Sequence, residues 1–120
     1  NAPRPMVEDL DELAPARECL YDVEHYEPHA LAKLFASRGC PYQCNYCGTQ
    51  NIWTFKVRHR SAENIIDEIR HVKKQYGSTY FTFFDDVFGP FIEGDKVLQF
   101  FTERRFHEFS VDCLLDIFKL

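Results

Sequence analysis

Between residues 61 and 76 the apolar positions Ile65, Ile69, Val72 and Tyr76 recur at helical spacing, with Ile66 beside them. That pattern predicts an amphipathic helix with one buried face. Ser61 is a suitable N-cap and Gly77 a C-terminal stop. The third residue after Ser61 is Asn64, not Glu or Gln, so the reciprocal capping box is incomplete. On either side of this helix the apolar runs are short. Residues 30–37 (ALAKLFAS) read as a buried strand, and residues 80–84 (YFTFF) as a second, aromatic and β-branched one. Residues 38–54 show no period and contain Gly39, Pro41 and Gly48, which predicts a loop. Further on, 88–94 reads as a loop, Asp95 as the cap of a second helix over about 96–107, and 109–114 as the start of a third strand.

The order is strand, loop, helix, strand, loop, helix, strand. Such alternation favours βαβ units and a parallel sheet. Ligands in parallel α/β folds gather where loops leave the C-terminal ends of strands. Two chemically suggestive features fall at such ends: a cysteine-rich loop after the first strand, and Asp85-Asp86 after the second. The phenylalanines Phe81, Phe83, Phe84, Phe100, Phe101 and Phe106 are expected in the core.

The composition of the 120 residues, 45% hydrophobic and 28% charged, supports one globular domain and argues against wholesale disorder. No run is apolar enough to span a bilayer, and no basic-then-apolar leader is present, so a cytoplasmic location is expected. The net charge of −5 is unevenly placed: residues 1–30 carry eight acidic and two basic side chains, while the remainder is nearly balanced. Residues 1–29, with Pro3, Pro5, Pro15 and Pro28, read as an acidic extended arm, and residues 30–120 as the domain. The arm is expected to be a solvated linker, with Val7, Leu10, Leu13 and Leu20 able to lie against a neighbouring surface. No basic stripe of the kind that binds nucleic acid is visible. Arg58-His59-Arg60 reads as a solvated basic face, with anion binding as the sharper alternative.

Five cysteines is an odd count, which argues against a secreted disulfide framework. Cys40, Cys44 and Cys47 lie within eight residues, as Cys-Pro-Tyr-Gln-Cys-Asn-Tyr-Cys. Clustered thiols in an intracellular chain read as metal ligands, suited to an iron–sulfur cluster or to zinc. Three ligands leave one metal position open for chemistry. Zinc would need a fourth ligand, for which Cys19, His25, His29, His59 and Cys113 are candidates. Outside that possibility, Cys19 and Cys113 read as structural thiols.

The C-x-x-x-C-x-aromatic-C pattern after a first strand resembles the signature of the radical S-adenosylmethionine (radical SAM) enzymes. Ser37-Arg38-Gly39-Cys40-Pro41, the stretch Arg58-His59-Arg60-Ser61-Ala62-Glu63-Asn64, and Phe84-Asp85-Asp86-Val87-Phe88 are similar to motifs of the subgroup often joined to a cobalamin-binding domain. Residues 4–11 (RPMVEDLD) resemble the linker between that domain and the barrel, which implies a cobalamin domain upstream.

The resemblance implies an α/β fold: part of a parallel (βα) TIM-like barrel of the radical SAM type, with three strands, two helices and an extended N-terminal arm. It implies that Cys40, Cys44 and Cys47 ligate a [4Fe–4S] cluster whose open iron holds SAM. Tyr46 would lie near the adenine, and Asp85 or Asp86 would face the amino group of SAM. The implied activity is reductive cleavage of SAM to a 5′-deoxyadenosyl radical, which abstracts hydrogen from a small-molecule substrate. An electron donor would be the partner, with no membrane or nucleic acid. The barrel is expected to extend beyond residue 120. The rival expectation is a non-catalytic iron–sulfur or zinc-binding module.

Overall fold

The computed structural model describes residues 4–14, 23–87 and 110–112. The expected helix over 96–107, the loop over 88–94, and Phe100, Phe101 and Phe106 lie outside these residues, as do Cys19 and Cys113. Three parallel strands form the main sheet, in the order β1 (Lys33–Leu34), β4 (Tyr80–Phe83), β5 (Ser110–Asp112). A second, antiparallel pair joins β2 (Ser37–Arg38) to β3 (Arg58–His59). The helices are α1 (Pro28–Leu31), α2 (Thr49–Trp53) and α3 (Ala62–Tyr76). Parallel pairing of β1 with β4 across α3 agrees with the expected βαβ arrangement, and β5 falls inside the expected third strand.

The 15-residue α3 is the predicted helix, with both predicted caps in place. Ser61 accepts from the Asn64 amide at 3.1 Å. Gly77 adopts the left-handed conformation that ends the helix, and its amide donates to the Lys73 carbonyl at 2.9 Å. Ile65, Ile69 and Val72 turn inward against Leu34, Phe81 and Phe83. Each such side chain, fully buried, stabilises the fold by about 1.5–3 kcal/mol. Of the phenylalanines expected in the core, Phe81 and Phe83 are buried, but Phe84 is 48% exposed. Phe84 stands on the opposite side of the strand from the helix, beside Phe35.

The single strand expected over 30–37 is divided. Proline suits the first turn of a helix, and Pro28 opens α1, which runs to Leu31. The chain then pairs with β4 for only two residues before β2 leaves to pair with β3. At this break the amides of Ala36 and Ser37 donate to the Asp85 carboxylate rather than to a neighbouring strand. Apolar content alone predicts a continuous strand here, because it is blind to where backbone amides find acceptors.

Within the arm, the segment from Val7 to Glu12 is docked rather than solvated, and Leu10 lies against the domain as its apolar character allows. Leu10, in a 3-10 turn (Leu10–Glu12), is 4% exposed. Val7 lends its carbonyl to Arg58, Glu8 pairs with Lys56, and Asp11 accepts from the Ser61 amide at 3.0 Å. The last bond answers the incomplete capping box. The N-cap amide that a Glu or Gln at the third position would satisfy is satisfied by the arm, while Asn64 accepts from Arg60 Nε at 2.7 Å. Arg58-His59-Arg60 is therefore not a solvated basic face as a unit. Arg58 is buried against the arm, Arg60 pairs with Glu68, and His59 is exposed.

Candidate functional site

Residues 39–57 leave the sheet as one excursion, closed at its base by β2 and β3. Gly39 has φ +99°, and a Cβ there would collide with the Lys56 carbonyl. Only glycine allows the two ends of the excursion to meet this closely. Just before it, Arg38 is held in a fixed orientation. Its guanidinium stacks 3.6 Å from the Phe35 ring centroid and 5.3 Å from that of Trp53, and donates to the Ser37 carbonyl.

Cys40, Cys44 and Cys47 follow, all free thiols and all half-buried. The Cys47 amide donates to the Cys44 carbonyl at 3.1 Å, which turns the chain between them. Gln50 Nε2 donates to the same carbonyl at 3.3 Å. The thiols differ in character. Burial pushes Cys40 up, with smaller contributions from Asp86 and the neighbouring thiolates. Cys47 is drawn down by the Thr49 side chain and then by the Thr49 amide, the single hydroxyl hydrogen of Thr49 serving Cys47 or Asp86 but not both at once. Tyr46 projects from the loop, 86% exposed, and its phenol is pushed up by the charge of Cys44 and then by its hydrogen bond to that thiol.

The two adjacent aspartates occupy opposite environments. Asp85 is 2% exposed and accepts from the Ala36 amide, the Ser37 amide and the Ser37 hydroxyl. Burial pushes its carboxyl up, against those hydrogen bonds and the charge of Arg38. Asp86 is exposed and faces the cysteine loop, accepting from the Thr49 hydroxyl at 3.1 Å. Its charge adds to the upward push on Cys40 and weakly opposes the downward pull of Thr49 on Cys47. Sequence reasoning left the choice between the pair open; the structure divides them into one inward and one outward carboxylate. It missed Thr49, whose hydroxyl lies between Cys47 and Asp86. The available signal was a hydroxyl two residues after the last cysteine, at the start of α2.

By its chemistry the donor set suits an iron–sulfur cube: three unpaired soft thiols on one loop. Among the described residues, no three His, Cys, Asp or Glu side chains gather as they would around a single metal ion. Of the candidates for a fourth zinc ligand, His25 and His59 are exposed, while Cys19, Cys113 and the His29 side chain lie outside the described residues. Among the described residues no helix is long and apolar enough to cross a membrane.

Comparison with known proteins places this geometry in context. The family profile of the Radical SAM superfamily matches residues 34–113, two thirds of the chain. Cytidylyl-2-hydroxyethylphosphonate methyltransferase of Streptomyces wedmorensis is 36% identical over 56 residues, covering 47% of this chain and 10% of its own. An anaerobic magnesium-protoporphyrin IX monomethyl ester cyclase of Synechocystis sp. is 33% identical over 87 residues, 70% of this chain and 17% of its own. Hopanoid C-3 methylase of Methylococcus capsulatus is 32% identical over 75 residues, 60% of this chain and 15% of its own. The chain thus spans between a tenth and a fifth of the length of these relatives. No solved structure matches it.

Proposed function

The chain belongs to the radical SAM superfamily, and on that premise we propose that it holds the cluster and the methionine end of SAM for a radical SAM enzyme acting on a small molecule. The observation that carries this reading is the meeting of the cysteine loop with Asp86 through Thr49, across 37 residues of sequence. When bound, the [4Fe–4S] cluster and SAM supply one-electron cleavage of the sulfonium to methionine and a 5′-deoxyadenosyl radical that abstracts hydrogen from substrate.

The chain's own residues do the holding. Cys40, Cys44 and Cys47 bind iron as thiolates, and ligation requires that they lose their protons. The hydrogen bonds from Thr49 ease that loss at Cys47. Asp86 is the carboxylate free to face the amino group of SAM, because Asp85 is committed to Ala36 and Ser37. An ammonium beside a carboxylate forms a charge-assisted hydrogen bond, which orients as well as binds. Tyr46, exposed beside Cys44, is available to the adenine. The names of the relatives support methyl transfer or ring closure as the overall reaction. The likeness of residues 4–11 to a cobalamin-domain linker supports a cobalamin partner domain.

Anaerobic reconstitution with iron and sulfide, followed by electron paramagnetic resonance (EPR), tests this reading. The expected result is a reduced [4Fe–4S] signal that shifts when SAM is added, and a signal indifferent to SAM overturns it. Incubation with SAM and dithionite adds a second arm. Release of 5′-deoxyadenosine supports catalysis, and its absence from a chain with an intact cluster favours a binding module.

A further inference from the structure

We infer that Asp85 is a positioning residue: by holding the amides of Ala36 and Ser37 and the Ser37 hydroxyl, its buried carboxylate sets where the chain leaves the sheet toward Cys40. This rests on the radical SAM reading of the cysteine loop and adds to it a residue that touches neither cluster nor SAM.

Three observations carry the inference. Asp85 is almost wholly buried, and a carboxylate in that position is costly unless several donors converge on it. All its donors come from one place, 48 and 49 residues earlier in the sequence, at the root of the cysteine loop. They occupy the point where β1 gives way to β2, so the carboxylate stands in for the strand that would otherwise pair with those amides.

The arrangement is also two-ended. Asp85 grips the root of the loop at Ser37, three residues before Cys40. Asp86, next along the same turn, grips Thr49, two residues after Cys47. Adjacent carboxylates thus clamp the chain on both sides of the three thiols. A shift of this turn moves the thiols and the proposed SAM-facing carboxylate together.

Asparagine in place of Asp85 keeps the shape but puts an amide donor against one of the amide donors it should receive. The expected consequence of Asp85→Asn falls on the loop. Iron per folded chain after reconstitution should drop to below about half, and the SAM concentration giving the half-maximal EPR shift should rise about tenfold, the lower end of what outer-shell changes cost. Ser37→Ala removes one donor and should give a smaller change in the same direction. Ile69→Val, in the core beneath α3, is the control for stability alone: its melting temperature should fall while iron per folded chain and the SAM response stay as in the parent.

Folded Asp85→Asn and Ser37→Ala chains with parental iron content and SAM response would overturn the inference. So would an Ile69→Val chain that loses as much iron per folded molecule as Asp85→Asn. Should Asp85→Asn not fold, Ser37→Ala decides. A parent chain that takes up no cluster is a different failure, because it defeats the functional reading itself.

Discussion

The α3 side of the molecule and the cysteine loop are built by different means. α3 carries its instructions locally: a capping serine, a terminating glycine and an apolar stripe at helical spacing, all within 17 residues. Its stability comes from burial against Leu34, Phe81 and Phe83. The cysteine loop leaves much of its apolar content unburied: Tyr46, Ile52 and Phe55 remain exposed. It is held by a few polar ties to distant parts of the chain, Asp85 to Ala36 and Ser37 and Asp86 to Thr49, with Gly39 packed against Lys56 at its base. Burial sums many small contacts into most of the stability; a tie made of one or two hydrogen bonds contributes less but places a side chain accurately and fails as a unit.

That contrast can be broken by mutation. The largest effect is expected for Phe81→Ala, which empties the centre of the core and should destabilise the chain by about 3–5 kcal/mol, read as a shifted denaturation midpoint. A smaller loss there would show that the sheet and α3 are not the stabilising half. Gly39→Ala should come next, at roughly 1–3 kcal/mol, because it forces a Cβ into a left-handed backbone and against Lys56. Its mark should be local. Reconstituted iron should fall while helical circular dichroism at low temperature is kept.

Smaller again is the capping pair. Ser61→Ala and Asp11→Ala should each cost about 1 kcal/mol by chemical denaturation. The double variant should lose less than the sum if the arm and the cap act on one helix end. An Asp11→Ala chain as stable as the parent would show the arm to be a bystander.

The finest test compares two thiols in the cluster-free chain. Thr49 lowers the Cys47 thiol, whereas burial raises Cys40. Only thiolate is alkylated, and a lowered value means that thiolate forms at lower pH. Iodoacetamide should therefore label Cys47 before Cys40 near pH 8, with the gap narrowing as the pH rises past both. Thr49→Val should slow Cys47 toward Cys40. Peptide mapping by mass spectrometry reads the order directly, and equal rates at pH 8 would remove Thr49 from the account.

Legibility followed the same division. The helix was readable to within a residue because caps and periodicity are short-range. β4 was readable because its aromatic residues alternate between the core and the open face. The spacing of Cys40, Cys44 and Cys47 singled them out as candidate soft-metal ligands before any tertiary contact was known. Residues 30–37 misled because their apolar content fits a strand, while their amides are claimed by a carboxylate far along the chain. The arm misled because proline and acidic residues suggest solvent, yet Asp11 caps a helix fifty residues away.

From the sequence alone, then, came the elements whose signals are local, the three candidate ligands and the family to which they point. Only the tertiary structure distinguished Asp85 from Asp86, brought Thr49 between Cys47 and Asp86, and tied Asp11 of the arm to the start of α3. The physical reason is that neighbours in sequence share composition but not surroundings. Two identical side chains side by side on one turn meet different donors, and the chemistry of each is set by what folding brings to it.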